Sequence, residues 1–375
     1  MHVILVRDIE GVATLRDEWQ SLLDRSQPNL VFMTCEWILT WWRHFSRGQE
    51  LFVLIVKDKE EIIGILPLML SVHGEGHAHK IRFLHFIGYR TSDWMDIIAT
   101  RKRDVIRAAL EYLEGCQHLW DYMELFDIPE DSDTIAILSE FTPRTSLSFQ
   151  KESKGGFPYL STTPDWGLYY QAHVPRKIRV DLDRQIKRLR AKGELEVVWP
   201  DASNLTESLD AVFIMHQQRQ EARQQHSIFS QPVYQNFHRD LARAYPLHHL
   251  DCPVLKLNDK VIAAHFGFRY NHKLYYYRPT FDPDYSAFSP GKVLLRYIIE
   301  NCFADDEMLE FDFLFGNEPY KYEWATGERR GCRVLIGSAY MSGLSGKVLR
   351  RIPLRVRHPL IKMLKNPLSG RFASP

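Results

Sequence analysis

The chain has 375 residues, 45% of them hydrophobic and 25% charged, with a formal net charge of +1. Those fractions are those of a globular α/β chain, the length predicts two units rather than one core, and the near-zero charge excludes a general polyanion binder. The charge is uneven: after Glu328 there is no Asp or Glu but eleven Lys or Arg, leaving 37 basic against 47 acidic side chains before that point. The basic tail is expected either to meet an anionic membrane or nucleic acid, or to pack back on the acidic body. Cys35, Cys116, Cys252, Cys302 and Cys332 form no CxxC pair and are expected reduced and buried. The N-terminal MHVILVRDIEG lacks the pattern of a signal peptide, and no apolar run approaches about 18 residues. The expectation is a cytoplasmic protein, with peripheral contact to the inner membrane through the tail.

In chain order, 2–6 alternates as a strand and 17–24 reads as a short helix. Thr34 is the expected N-cap of a helix whose Trp37, Trp41 and Phe45 fall on one face. That stripe reads as core. Residues 51–56 and 62–70 form a hairpin by pattern, with Pro67 marking an edge or bulge. Strands follow at 81–87 and 95–99, a helix at 103–116, and a strand at 122–126. Helices are predicted at 165–173, 175–192, 204–223 and 232–245, with a strand at 195–199. A second hairpin, 252–257 with 261–270, repeats the first, and 273–278 is the next strand. Recurrence of hairpin, strand, helix, strand at a period of about 190 residues suggests two copies of one α/β unit. Lys151-Glu152-Ser153-Lys154-Gly155-Gly156 is the expected boundary. The domains are set at 1–155 and 156–344, with a basic tail at 345–375.

The most informative stretch is 281–324. Ser289-Pro290-Gly291-Lys292 opens an apolar helix, and 311–315 reads as a buried strand carrying one acid, Asp312. A helix that starts on a small, glycine-containing turn presents free N–H groups and a positive dipole end. A strand beside it can bring a polar side chain to the same cleft. That combination suits a phosphorylated carrier with chemistry next to it.

FSPGKVLL (288–295), EFDFLFG (310–316) and PYKYEW (319–324), in this order, resemble the GNAT-like acyltransferases of the CelD/BcsL and FemAB-related group. The resemblance extends to WILTWWRHF (37–45), ILPLML (65–70) and the arginine-rich helix near 176–192. It implies two GNAT-like folds in tandem, each a mixed, splayed sheet flanked by helices. It implies that Ser286, Ser289, Pro290, Gly291 and Lys292 hold the pyrophosphate and pantetheine of acyl-CoA, and that Tyr320, Lys321 and Trp324 close over the substrate. It also implies a Tyr as general acid for the thiolate leaving group, Tyr277 or Tyr320. The first unit lacks the Pro-Gly turn, so Asp93 and Asp96 either line an acceptor groove or cap a turn.

Asp312, among Phe and Leu residues, is either a base or a structural acid bonded to loop amides. His265, alone in the apolar strand AAHFGF, is a second candidate base or a satisfied core residue. His216 and Arg219, three apart on the long helix, are candidate substrate contacts. Arg188, Lys192 and their basic neighbours form either a solvated face or a grip for an anionic donor or acceptor. The aromatic–basic interleaving of RNA modules is missing. His77-Ala78-His79 and His248-His249 lack ligand partners, so no metal is expected. The implied function is N-acyl transfer from acyl-CoA to an amine acceptor held in the groove between the two domains, an amino sugar or similar intermediate of exopolysaccharide or envelope synthesis. The alternatives are a FemAB-like transferase using aminoacyl-tRNA, and a non-catalytic accessory protein of a polysaccharide synthase.

Overall fold

A computed structural model describes residues 1–73, 80–163 and 165–339. His77, His79 and the basic tail at 345–375 lie outside the described residues. The chain divides into two compact units, one of residues 1–42, 46–154 and the stretch from 331, the other of 43–45 and 155–330. All five cysteines are free and buried.

In the first unit, His2–Val6, Val53–Asp58, Glu61–Leu66 and Ile98–Ala99 form a four-stranded antiparallel sheet. The expected first hairpin is present but shorter than its apolar run. Pro67 has no N–H for the ladder, so the run breaks there, and Leu68–His73 pairs elsewhere, with Gln49–Leu51 and Ile81–Phe86. Ile81–Phe86 then runs parallel to Tyr122–Pro129. Thr34 caps the helix Cys35–Phe45 by accepting the Trp37 N–H at 3.3 Å. Trp37 and Trp41 are buried, and the Trp37 indole donates to Ser92 Oγ at 2.9 Å.

Asp96 is a structural residue, not the wall of an acceptor groove. It is wholly buried and pairs with Lys102 at 3.1 Å. It also accepts from Ser132 Oγ at 2.5 Å, Thr134 Oγ1 at 2.5 Å and the Ile97 N–H at 2.7 Å. A carboxylate with that many donors has no lone pair left for a ligand. It ties the helices Lys102–Gly115 and Asp133–Phe141 to one loop. Asp93 is half-buried in the same loop.

The second unit is built on one sheet, in the order Leu195–Val198, Val254–Leu257, Lys260–Tyr270, Lys273–Phe281, Glu310–Asp312, and then the 155–161 part of Ser148–Ser161. Every neighbour in that order is antiparallel except Lys273–Phe281 with Glu310–Asp312. That parallel step is made possible by the helix Pro290–Phe303, which crosses between them. Arg176–Arg190 and Pro290–Phe303 bury Leu182, Ile186, Val293 and Ile298 on one face, against Phe311 and Tyr276. Leu205–Ala222 and Pro232–Ala244 cover the other face, where Phe213, Phe229 and Phe237 gather around His238.

The stretch 151–156, read as a linker from its composition, lies inside the continuous strand Ser148–Ser161. The chain passes between units within that strand and returns within Gly327–Gly337, so the second unit ends at Arg330 rather than 344. The glycines there serve close approach rather than flexibility. Gly156 has φ +92°, and a Cβ on it would lie 2.1 Å from Asn317 Oδ1. Its carbonyl accepts the Gly316 N–H at 2.7 Å.

Replacing Asp96 by Ala would strand Lys102 without its buried partner. Urea unfolding is expected to show a loss of about 3 kcal/mol. A loss below about 0.5 kcal/mol would contradict the structural assignment.

Candidate functional site

The parallel pairing of Lys273–Phe281 with Glu310–Asp312 lasts three rungs: Lys273 with Glu310, Leu274 with Phe311, and Tyr275 with Asp312. The chain then turns away. Asp312 Oδ1 accepts the Leu314 N–H at 2.8 Å, and Leu314 and Gly316 take φ of 58° and 138°. Residues 276–281 continue as a strand beyond those three rungs. The two strands part there, leaving a wedge between them.

The wedge leads toward the first turn of Pro290–Phe303. Ser289 sits in the left-handed region at φ 49°, and no side chain caps this helix. Pro290 has no N–H and the Lys292 N–H bonds Ser289 O at 3.0 Å, so the Gly291 N–H is what this first turn offers a ligand. Gly291 packs so closely on the strand that a Cβ there would lie 3.1 Å from Phe281 Cδ1. Lys292, expected to face a phosphate, instead bonds both carboxylate oxygens of Glu323 at 2.8 Å. The cations at this loop come from the basic helix. Arg188 donates to Ala287 O at 3.1 Å and lies 4.5 Å over the Phe288 ring, and Lys192 Nζ is 5.3 Å from the same ring. Ser286 is exposed beside them.

Strand alternation separates the tyrosines. Tyr277 faces away from the helix Pro290–Phe303, stacked on His238 at 5.8 Å, and does not reach the wedge. Tyr276 is the residue on the wedge side, 6.1 Å from Phe313 and stacked on His265 at 4.5 Å. Burial pushes the Tyr276 phenol well above its usual range, with Tyr320 adding to the shift and Arg219 opposing it. Burial, then Glu318, also pushes up Tyr320, which is half-buried. Tyr276, Tyr320 and Arg219 thus act on one another.

His265 and Asp312, the two expected bases, do not share a cavity. Phe311 and Phe313 point into the core with Tyr276, so Asp312 between them points to the opposite face. Burial, then Glu310, raises the Asp312 carboxyl to about 6. His265 is wholly buried beneath Tyr276. Its Nδ1 bonds Asp251 Oδ2 at 3.0 Å, and Asp251 Oδ1 accepts from Arg269 Nε at 3.0 Å. Burial pushes the Asp251 carboxyl up, but His265 and Arg269 bring it below the ordinary range. His265 Nε2 lacks a partner and faces Gly267, where a Cβ would lie 2.7 Å away. Asp251 and Arg269 carry no local pattern that marks them. Only the pairing of Leu250–Asp251 with Phe268 and Gly267 brings them to His265.

The segment after Gly316 is mostly structural. Trp324 is 1% exposed and stacks on Trp166 at 6.4 Å, so it packs the core instead of touching substrate. Lys321 is buried, donating to Phe315 O at 2.8 Å and pairing with Glu318 at 3.1 Å, and so holds the loop. His216 Nδ1 bonds Ser227 Oγ at 2.7 Å. Burial, then Arg278 and Arg219, pushes its imidazole down to about 4. A cavity of about 570 Å³ lies among Met215, Gln218, Lys260, Asp282 and Asp284, and none of Tyr276, Tyr320 or His265 lines it. Among the described residues no group of three or more His, Cys, Asp or Glu is placed to hold a metal ion. No described helix is long and apolar enough to cross a membrane.

Residues 176–322 match the family model of the acetyltransferase (GNAT) domain. The fold is shared with solved structures. FemX is similar at 10% identity and TM-score 0.64, over 98% of this chain and 100% of that one. The C-terminal domain of a lysylphosphatidylglycerol synthetase from Agrobacterium fabrum is similar at 10% identity and TM-score 0.54, over 86% and 92%. L-PGS from Bacillus licheniformis is similar at 10% identity and TM-score 0.52, over 93% and 96%. No curated protein matches the chain in sequence. The match lies within the second unit and supports an acyltransferase.

Asp312 holds its proton more tightly in the folded chain than when unfolded. It therefore costs stability as pH rises from about 4 through about 6, by about 3 kcal/mol. Urea unfolding of the wild type and Asp312→Asn between pH 4 and 7 is expected to show the variant gaining relative stability with rising pH. A constant difference would contradict the buried, raised carboxyl.

Proposed function

We propose that the chain is an N-acyltransferase that takes an acyl group from a CoA thioester and passes it to an amine. The observation that carries this reading is the early parting of Lys273–Phe281 from Glu310–Asp312, with Phe281 at the far end of the strand packed on Gly291 at a helix start that no side chain caps. A pantetheine arm has amides that suit the wedge where the two strands part. A pyrophosphate suits the Gly291 N–H at the helix start, with Arg188 and Lys192 beside the preceding Phe288.

The amine attacks the thioester carbonyl, a C–N bond forms, the C–S bond breaks, and the thiolate needs a proton. Tyr320 is the group we assign to give it. Burial keeps this phenol protonated at neutral pH, the form that donates. Tyr276 lines the same gap. Neither Asp312 nor His265 opens onto it, so the amine's proton leaves through water. The main contribution of the protein is to hold donor and acceptor in line. The resemblance suggests an amino sugar or similar envelope intermediate as the acceptor. A second reading, an aminoacyl group borne on tRNA, draws on the basic helix face of Arg184, Arg188 and Lys192 and on the full-length likeness to FemX.

A thermal-shift titration with acetyl-CoA, longer acyl-CoAs and free CoA tests the donor. Binding to the native state is expected to add about 2.7 kcal/mol of stability at a hundredfold excess over Kd. Gly291→Trp, which drives a side chain into Phe281, is expected to abolish the shift. No shift with any CoA would overturn the acyl-CoA donor and favour the tRNA-borne one.

Tyr320→Phe is expected to keep the CoA shift and lose about 10²-fold in thiol release. Unchanged release would remove Tyr320 as the acid.

A further inference from the structure

Most half-buried arginines of the second unit have carboxylate partners: Arg239 with Asp210 at 2.7 Å, Arg269 with Asp251 at 3.0 Å, and Arg329 with Glu310. Arg219 and Arg278 differ. Both are half-buried, and neither has an ion pair among the described residues. Each lies on an aromatic ring instead, Arg219 at 4.7 Å over Phe281 and Arg278 at 3.9 Å over Tyr277. The Nε of each is buried without a hydrogen-bond partner. The carboxylate that acts on Arg219 is Glu318, and it is engaged with Lys321 at 3.1 Å. Arg223, another cation, also acts on Arg219.

Arg278 and the Phe281 ring under Arg219 are three residues apart on the strand Lys273–Phe281, and both arginines bear on His216. Desolvated cations held without a counterion are costly, and guanidinium forks are shaped for carboxylate and phosphate. The pair also sits where the chemistry is. Arg219 acts on Tyr276, and Tyr320 acts on both. The ring under Arg219 is Phe281, whereas Arg188 and Lys192 flank a different ring, Phe288, at the helix start.

We propose that Arg219 and Arg278 hold an anionic group, a carboxylate or phosphate, on the acceptor. This rests on the acyl-transfer reading and names the class of acceptor: an amine that also carries an acid. The unpaired guanidiniums take the place of a counterion that the ligand brings. The donor's phosphates go to the other cationic site.

The test is calorimetric titration of the full chain with inorganic phosphate, without and with saturating CoA. Phosphate is expected to bind, and Arg219→Gln and Arg278→Gln are each expected to weaken it at least about tenfold. Arg239→Gln, at an arginine paired with Asp210, is expected to leave it unchanged, and saturating CoA is expected not to displace the phosphate held by the two arginines. Arg219→Lys and Arg278→Lys, which keep the charge, are expected to retain part of the binding and guard against misfolded Gln variants. No phosphate binding, or equal binding in the Gln variants, would overturn the site. Displacement of phosphate by CoA would assign the pair to the donor and overturn the acceptor role. Phosphate binding that depends on both arginines in a chain that binds no CoA would uphold the anion site and sink the CoA donor separately.

Discussion

The site depends on the early end of one parallel strand pairing. Glu310–Asp312 can stay beside Lys273–Phe281 for only three rungs, because Asp312 captures the Leu314 N–H and the chain turns through two left-handed residues. A longer strand would carry the ladder on along 276–281 and close the wedge. The residue that suggested a catalytic base thus has a different physical role, ending the strand that would otherwise close the gap. It does so at a cost, since its carboxyl sits buried beside Glu310.

The distribution of charge follows from the same geometry. Several half-buried ionic groups of the second unit are used up in pairs, including Lys292 with Glu323 and Lys321 with Glu318. Arg219 and Arg278 lie on aromatic faces near the tyrosines, and Arg188 and Lys192 lie on Phe288 near the helix start. An enzyme that joins two charged substrates needs two such places, and a protein that merely folds needs neither.

Much of the scaffold was legible in the sequence. Thr34 as a cap, Pro290 at the first helical position and the two hairpins with charged turns are local signals, and local physics decides them. The alternation of Tyr275, Tyr276 and Tyr277 was legible too, but not which face looked toward the gap. That depends on the helix Pro290–Phe303 packing over Tyr276. The Asp251–His265–Arg269 network was not legible, because a two-residue strand brings Asp251 across from Gly267. Composition misled at 151–156. Charged and glycine residues read as a linker, yet glycine there lets the Gly316–Asn317 turn approach a continuous strand. The GNAT match at 176–322 covers the part of the chain where motif and geometry agree best.

The most direct measurement is amide hydrogen exchange along 276–281 and 290–293, with and without saturating CoA. The account predicts that CoA slows exchange in both segments together, while the wholly paired core of Lys260–Tyr270 stays unchanged. Protection confined to other parts of the chain, with both segments exchanging as before, would contradict the claim that this wedge and helix start form the donor site.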